Sequence, residues 1–231
     1  FHPQYSWHRS ATKHTKIVFF LSGMLMPFFC FAQQAVTEES CTNTVKKRLV
    51  ELKDETWQVW RKNPTYNVAY IENKSSAIKI RAAITLNISA DDFIDILHDV
   101  KHIPRWMAQA KSASIIQDSP LSNTLTLNFD EVWPVGPREL IISSTIIHCS
   151  PFHYIKVKNV DKKASDPAII KMKLLEGFWV IKTIQPNQIS VNYVSSIDPK
   201  GDIPPWVAQK VALRNIWQTL DNLQKLTKAK L

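Results

Sequence analysis

The sequence predicts an α+β domain, with one long, curved antiparallel sheet of about nine strands closed by a long C-terminal helix. Three observations lead there. From Lys111 onward the chain is a series of short runs that alternate apolar and polar residues, with turn residues between most of them. The last segment, Pro204 to Lys228, carries apolar residues at helical spacing. No internal repeat, low-complexity stretch or linker divides the chain between its N-terminal leader and that helix.

The leader comes first. Arg9, Lys13, His14 and Lys16 form a basic stretch, and no acidic residue precedes Glu38. Ile17 to Phe31 is an apolar run of 15 residues, and Ala32 follows as a small residue. Basic region, short apolar core and small-residue exit describe a secretory signal peptide cleaved near Ala32. A periplasmic or secreted protein is the expectation. The run contains Pro27 and is short of the about 20 residues a bilayer-crossing helix needs. Residues 33–231 then form one domain, long enough for a sizeable core. Three of the 29 Lys and Arg residues lie in the leader, so the formal charge falls from +9 to +6. That charge favours anionic surfaces such as lipid headgroups. It is too dispersed to predict nucleic-acid binding. Cys41 and Cys149 remain in the domain; an oxidising compartment would let them pair, and two separate thiols are the plainer alternative.

The elements follow in order. Glu38 to Arg61 carries Val45, Leu49, Leu52, Trp57 and Trp60 at near-helical spacing, which predicts an N-terminal helix. Strands are expected at Asn67–Glu72 and Ile78–Asn87. In the second, Ile78, Ile80, Ala82, Ile84 and Leu86 share one face, and Lys79, Arg81, Thr85 and Asn87 the other. Ser89 to Asp92 reads as a capping box opening a helix with Phe93, Ile96, Leu97 and Val100 on its buried stripe. Pro104 is expected to break it, and Arg105-Trp106-Met107 to start another short turn. Serial strands are expected at Ser112–Gln117, Thr124–Asp130, Glu139–Cys149, Tyr154–Val160, Ile169–Glu176, Phe178–Thr183 and Gln188–Ile197, each with one dry and one wet face. In the closing helix, Pro204 and Pro205 suit a first turn. Trp206, Leu213, Ile216, Leu220 and Leu223 draw one apolar stripe.

Three segments in this order carry a resemblance. Ile96-Leu97-His98-Asp99 with Arg105-Trp106 is similar to a Leu-x-Asp then Arg-x-x-Trp region. Pro134-Val135-Gly136-Pro137-Arg138-Glu139 is similar to a Pro-x-x-x-Arg-Asp loop before a central strand. The most specific is Asp198-Pro199-Lys200-Gly201-Asp202-Ile203-Pro204, similar to an Asp-x-x-Gly-x-Ile-Pro lead into a closing helix. In these the chain resembles the START lipid-transfer domains of the helix-grip superfamily, over roughly Thr56 to Lys228. It departs from them at Glu139, where Asp is usual, and at Trp106, which follows Arg105 directly. The resemblance implies a sheet wrapped around the C-terminal helix and an elongated apolar cavity between them. The loop Pro134 to Arg138 would help gate it. One sterol, fatty acid, phospholipid or other apolar molecule per domain is implied, with no catalytic residue, cofactor or metal. The protein would be monomeric and touch membranes transiently.

The expected ligand-binding residues are Trp106, Met107, Trp133, Pro134, Arg138, Trp179, Trp206, Val207, Leu213 and Trp217. Tryptophan offers a large contact area and one N–H donor, and each of these indoles could equally be ordinary core. Arg81 could face a headgroup; its strand face, shared with Lys79 and Thr85, favours the outer surface. Lys156, Lys158, Lys171 and Lys173 are expected on the outer sheet face, as a solvated surface or a membrane-docking patch. Catalytic signals are sparse. With four glycines in the chain, there is no glycine-rich phosphate loop, no Gly-x-Ser-x-Gly elbow and no paired-cysteine zinc spacing. His98 and His102 stand at i, i+4 spacing with nothing to complete a metal site, and His148 and His153 flank Cys149 at a strand end. The alternative is a cyclase or aromatase on a bound apolar substrate, for which Arg81, Asp130, Glu131 and Glu176 are the ionisable candidates. A third reading is a module that binds another exported protein, which a cavity filled by side chains would favour.

Overall fold

The sheet is the frame on which everything else is hung. In the computed structural model, which describes residues 38–54, 56–71, 77–131, 134–163 and 166–228, it runs β1 (Gln58–Lys62), β2 (Tyr66–Ile71), β3 (Ile78–Leu86), β4 (Ala110–Ser119), β5 (Ser122–Phe129), β6 (Arg138–Cys149), β7 (Phe152–Asn159), β8 (Ile170–Lys171), β9 (Lys173–Gln185) and β10 (Gln188–Asp198). In space the order is β1-β2-β3-β10-β9-β7-β6-β5-β4, antiparallel throughout, with β8 added in parallel to β6. The expected leader lies outside the described residues. The helices are α1 (Glu38–Asp54), α2 (Ala90–His98), α3 (Ile103–Trp106) and α4 (Pro205–Lys228).

Local chemistry explains the element ends. The Ser89 hydroxyl accepts from the Asp92 backbone N–H at 3.1 Å, and its Oγ lies 2.5 Å from the Asp92 carboxylate, so α2 begins where the capping box placed it. Ser89→Ala is expected to cost about 1 kcal/mol, read as a lower urea midpoint at an unchanged slope. In α4 the Val207 and Ala208 N–H groups bond back to the Pro204 carbonyl, and a proline in the first turn loses no useful hydrogen bond.

Four expectations need correction. The N-terminal helix stops at Asp54 rather than Arg61; Gln58 to Lys62 pairs with β2 instead, where its aromatic and β-branched residues suit a pleated edge. The helix before Pro104 ends at His98 by itself, and Pro104 sits in the first turn of α3, which tolerates it. Gly177 does not divide two strands, because β9 runs straight through it. A Cβ there would stand 2.9 Å from a Leu174 methyl and 3.1 Å from the Val157 Cβ; the glycine lets these neighbours close. Finally, the central strands do not have one wet face. α1 covers the convex side of the sheet, where Val45 and Leu52 pack with Phe152, Tyr154, Phe178, Val180 and Val194. A disulfide between Cys41 and Cys149 ties α1 to β6. Phe178 to Ile181 is therefore buried on both faces.

On the concave side α2, α3 and α4 pack over the sheet. Phe93 is fully buried, with its ring 6.3 Å from Trp179. The main core gathers the inward residues of β3, β5, β6, β9 and β10 with Leu213, Leu220 and Leu223 of α4.

The candidate ligand cavity

The concave side is not filled. Between sheet and α4 lies a cavity of about 260 Å³. Its wall follows from strand parity: residues two apart face the same way. Thus Ile78, Ile80 and Ala82 of β3 line it, as do Leu125, Leu127 and Phe129 of β5, and Leu140, Ile142, Ser144 and Ile146 of β6. Across from them Ala208, Val211, Ala212, Asn215, Ile216, Thr219 and Leu220 present one face of α4. The loops after β5 and β10 complete the lining with Val135, Gly136, Pro199 and Ile203.

Arg138 joins those two loops. Its guanidinium donates to the carbonyls of Gly136 (2.9 Å), Pro137 (3.1 Å), Pro199 (3.2 Å) and Lys200 (3.5 Å). Burial pulls its pKa below the ordinary arginine range. Lys200 and Gly201 both take positive φ, 55° and 75°, and a Cβ on Gly201 would stand 3.3 Å from Arg138 Nη2 and 3.0 Å from the Ile170 Cδ1. A glycine is required there twice over, by backbone and by space. The Pro134–Glu139 and Asp198–Pro204 segments are therefore two halves of one clasp.

The register of the sheet organises the polar groups. Asn123, Ser144, Val157, Gly177, Ser195 and Ile80 pair in succession across β5, β6, β7, β9, β10 and β3, so they form one transverse row. All six line the cavity. The Ser144 hydroxyl bonds to the Asn123 side-chain amide at 2.5 Å. In the neighbouring row Tyr193 stacks on Trp179, with centroids 4.3 Å apart. Burial raises the Tyr193 pKa, with the Ser195 side chain opposing it, so the phenol stays neutral.

Four of the expected ligand residues line the cavity: Trp106, Met107, Arg138 and Trp179. The Trp106 indole N–H is buried without a protein partner among the described residues. Trp133 lies outside the described residues. Pro134 begins one half of the clasp but does not line the space. Val207 and Leu213 are buried but do not line the space, and Leu213 packs into the main core. Trp217 points away from the cavity, onto Tyr66 (4.7 Å) and Trp60 (6.1 Å), with the Arg61 guanidinium over its face at 4.4 Å. Trp206 is 67% exposed at the start of α4. The helical stripe read from the sequence merges two faces, because a 24-residue helix gripped by a curved sheet is apolar over more than one stripe. Sequence reasoning missed Asn123, Ser144, Tyr193 and Ser195. Strand parity would have put them inward, but nothing local separates an inward serine from an outward one.

The other chemical candidates resolve as follows. His98 and His102 do not share a helix face, since α2 ends at His98, and His102 pairs with Asp99. His148 and His153 meet across β6 and β7 with Nδ1 atoms 2.8 Å apart, while Cys149 between them is bonded to Cys41 and is no thiol nucleophile. Burial, and then His148, lower the His153 pKa, against a smaller pull from Asp91. Arg81 lies on the outer face under α1, bonded to the Leu52 carbonyl and Asn192. Glu176, also outward, pairs with Arg48 and Lys79. Glu131 is exposed, and Asp130 lines the cavity.

Known proteins share this architecture. The human StAR-related lipid transfer protein 5 superposes with a TM-score of 0.67 at 14% identity, covering 83% of this chain and 97% of that one. A STAR-related lipid transfer protein from Xanthomonas axonopodis gives 0.68 at 19%, covering 75% and 99%. By sequence, the mouse and human START domain-containing protein 10 are 21% identical over 133 residues, 54% of this chain. The chain's match spans 44% of the length of those curated relatives. The family model of the START domain matches residues 37–225. With that match over most of its length, on the sheet, clasp and closing helix described above, the chain belongs to the START domain family.

Proposed function

We propose that this protein is a lipid-binding carrier, which encloses one hydrophobic ligand between sheet and α4 and releases it unchanged. The observation that carries this reading is the unfilled, largely apolar cavity of about 260 Å³. A lipid leaving a bilayer exposes its chain at about 0.8 kcal/mol per CH₂, or on the order of 13 kcal/mol for sixteen carbons. A dry wall returns most of that cost and so lowers the barrier to exchange. The two loops held by Arg138, like the turn Met107 to Gln109, are parts of the wall without sheet or helix, and opening at those loops would admit the ligand. Of the four ionisable candidates for a cyclase-type reaction, Asp130 alone lines the cavity, beside Lys111 at 3.9 Å; this favours carriage over catalysis. The names of the two lipid-transfer relatives support the same reading. Native mass spectrometry of protein from its own source should show one bound lipid. Protein that takes up no sterol, fatty acid or phospholipid in an exchange assay would rule the carrier out.

Two further parts of the reading follow. Export is supported by the basic and apolar leader and by the Cys41–Cys149 disulfide, which suits an oxidising compartment. Membrane contact is supported by Trp206, an exposed amphipathic ring next to the clasp, with Lys200 and Lys210 exposed nearby in the chain. Trp206→Ala is expected to weaken binding to vesicles of mixed neutral and anionic phospholipid about tenfold, with ligand affinity in solution unchanged. Co-sedimentation reads the first and ligand titration the second.

A further inference from the structure

The polar row inside the cavity restricts what the guest can be. Asn123 is 3% exposed and lines the cavity. Its side-chain amide has two ends, a carbonyl oxygen and an NH₂. Ser144 occupies one of them at 2.5 Å. Among the described residues no protein group bonds the other, whichever way the amide is turned. A buried amide with half its capacity unused is costly unless something else in the cavity meets it. The surroundings set the charge of that partner. Arg138 is the one permanently cationic side chain among the described lining residues, and its guanidinium already serves four carbonyls. It also stands six residues from Ser144 along β6, about 20 Å at strand rise. The other polar groups near the row, Ser195 and Tyr193, are neutral hydroxyls.

On this basis we infer that the guest is an apolar molecule with one uncharged oxygen function, an alcohol or a neutral carbonyl, hydrogen-bonded to Asn123. Ionised fatty acids and charged headgroups are disfavoured at this row, because a carboxylate there would lose its water with no cation to replace it. The volume points the same way. About 260 Å³ falls just under the range of about 300–1,000 Å³ that encloses a drug-sized ligand, which suits one chain or one compact ring system. The inference rests on the carrier reading and adds the chemical class of its ligand.

Three probes of equal chain length separate the possibilities: dodecane, dodecanol and dodecanoate, each titrated into the full chain. Dodecanol is expected to bind about tenfold more tightly than dodecane, the worth of one neutral hydrogen bond. Dodecanoate at pH 8 is expected to bind at least about a hundredfold more weakly than dodecanol. It must take up a proton to enter, so its affinity should rise about tenfold per unit as pH falls toward the carboxylate range, while dodecanol stays flat. Asn123→Leu should remove the alcohol's advantage over the alkane. The pH comparison needs no variant and holds even if Asn123→Leu fails to fold. Dodecanoate that binds as well as dodecanol at pH 8, or without pH dependence, would overturn the inference and leave the carrier reading standing. So would an alcohol advantage that survives Asn123→Leu. If none of the three binds, both fall together.

Discussion

Replacing Cys41 and Cys149 together by alanine is expected to lower the unfolding free energy by about 4 kcal/mol and the melting temperature by about 10 °C. The disulfide joins residues 108 apart in sequence, and a cross-link over so long a loop removes much of the freedom of the unfolded chain. The folded state has its own reason to depend on it. α1 carries Lys46, Lys47, Arg48 and Lys53, and its buried anchors are few: Val45 and Leu52 beside the cysteine itself. Without the bond, α1 would be held mainly by those side chains and by Arg48, whose guanidinium reaches Glu51 at 3.0 Å and Glu176 at 3.4 Å. Ion pairs that exposed add little. Release of α1 would bare Phe178, Val180 and Val194, all on the convex face. Thermal and urea melts of the double variant, and of the parent under reductant, read the effect. A double variant melting within about 2 °C of the parent would mean that packing alone docks α1.

Filling the cavity is expected to abolish ligand binding while sparing the fold. Ala212 lies on the cavity face of α4, opposite the inward residues of the sheet. Ala212→Trp would place an indole, about 150–250 Å² of surface when buried, into a space of about 260 Å³. Affinity for any apolar probe should drop about a hundredfold or more, since the guest and the indole cannot share the volume. Stability should hold or rise, because the ring covers wall that is otherwise uncovered. Gln218→Trp, on the exposed side of the same helix, is the control and should leave binding unchanged. Undiminished binding in Ala212→Trp would place the ligand somewhere other than this cavity.

The legible part of the fold was the part governed by short periods. The alternation of Ile78, Ile80, Ala82, Ile84 and Leu86 put β3 inward side down correctly, and Leu125, Leu127 and Phe129 did the same for β5. Ser89 and the prolines at 204 and 205 marked helix starts because their chemistry acts within one turn. The errors came from partners distant in sequence. Trp57 to Arg61 has a helical spacing, yet β2 offered an edge to pair with. Phe178 to Ile181 reads as a strand with one dry face, yet α1, more than a hundred residues earlier, dries the other. Trp217 looked like cavity wall, but Arg61 and Tyr66 took its two sides.

By itself the sequence determined most of the strands, the inward faces of β3 and β5, and the closing helix, while the two segments that meet at Arg138 were marked by their resemblance to family motifs. The strands and helix follow from residue spacing and from the backbone conformations that proline imposes locally. Only the tertiary structure decided that space remains between helix and sheet, that Asn123 stands in one row with Ser144 and Ser195, and that Cys41 reaches Cys149. Side-chain pattern says which way a residue points. How far away the opposite wall lies depends on the curvature of the whole sheet, to which every strand contributes and which no single segment encodes.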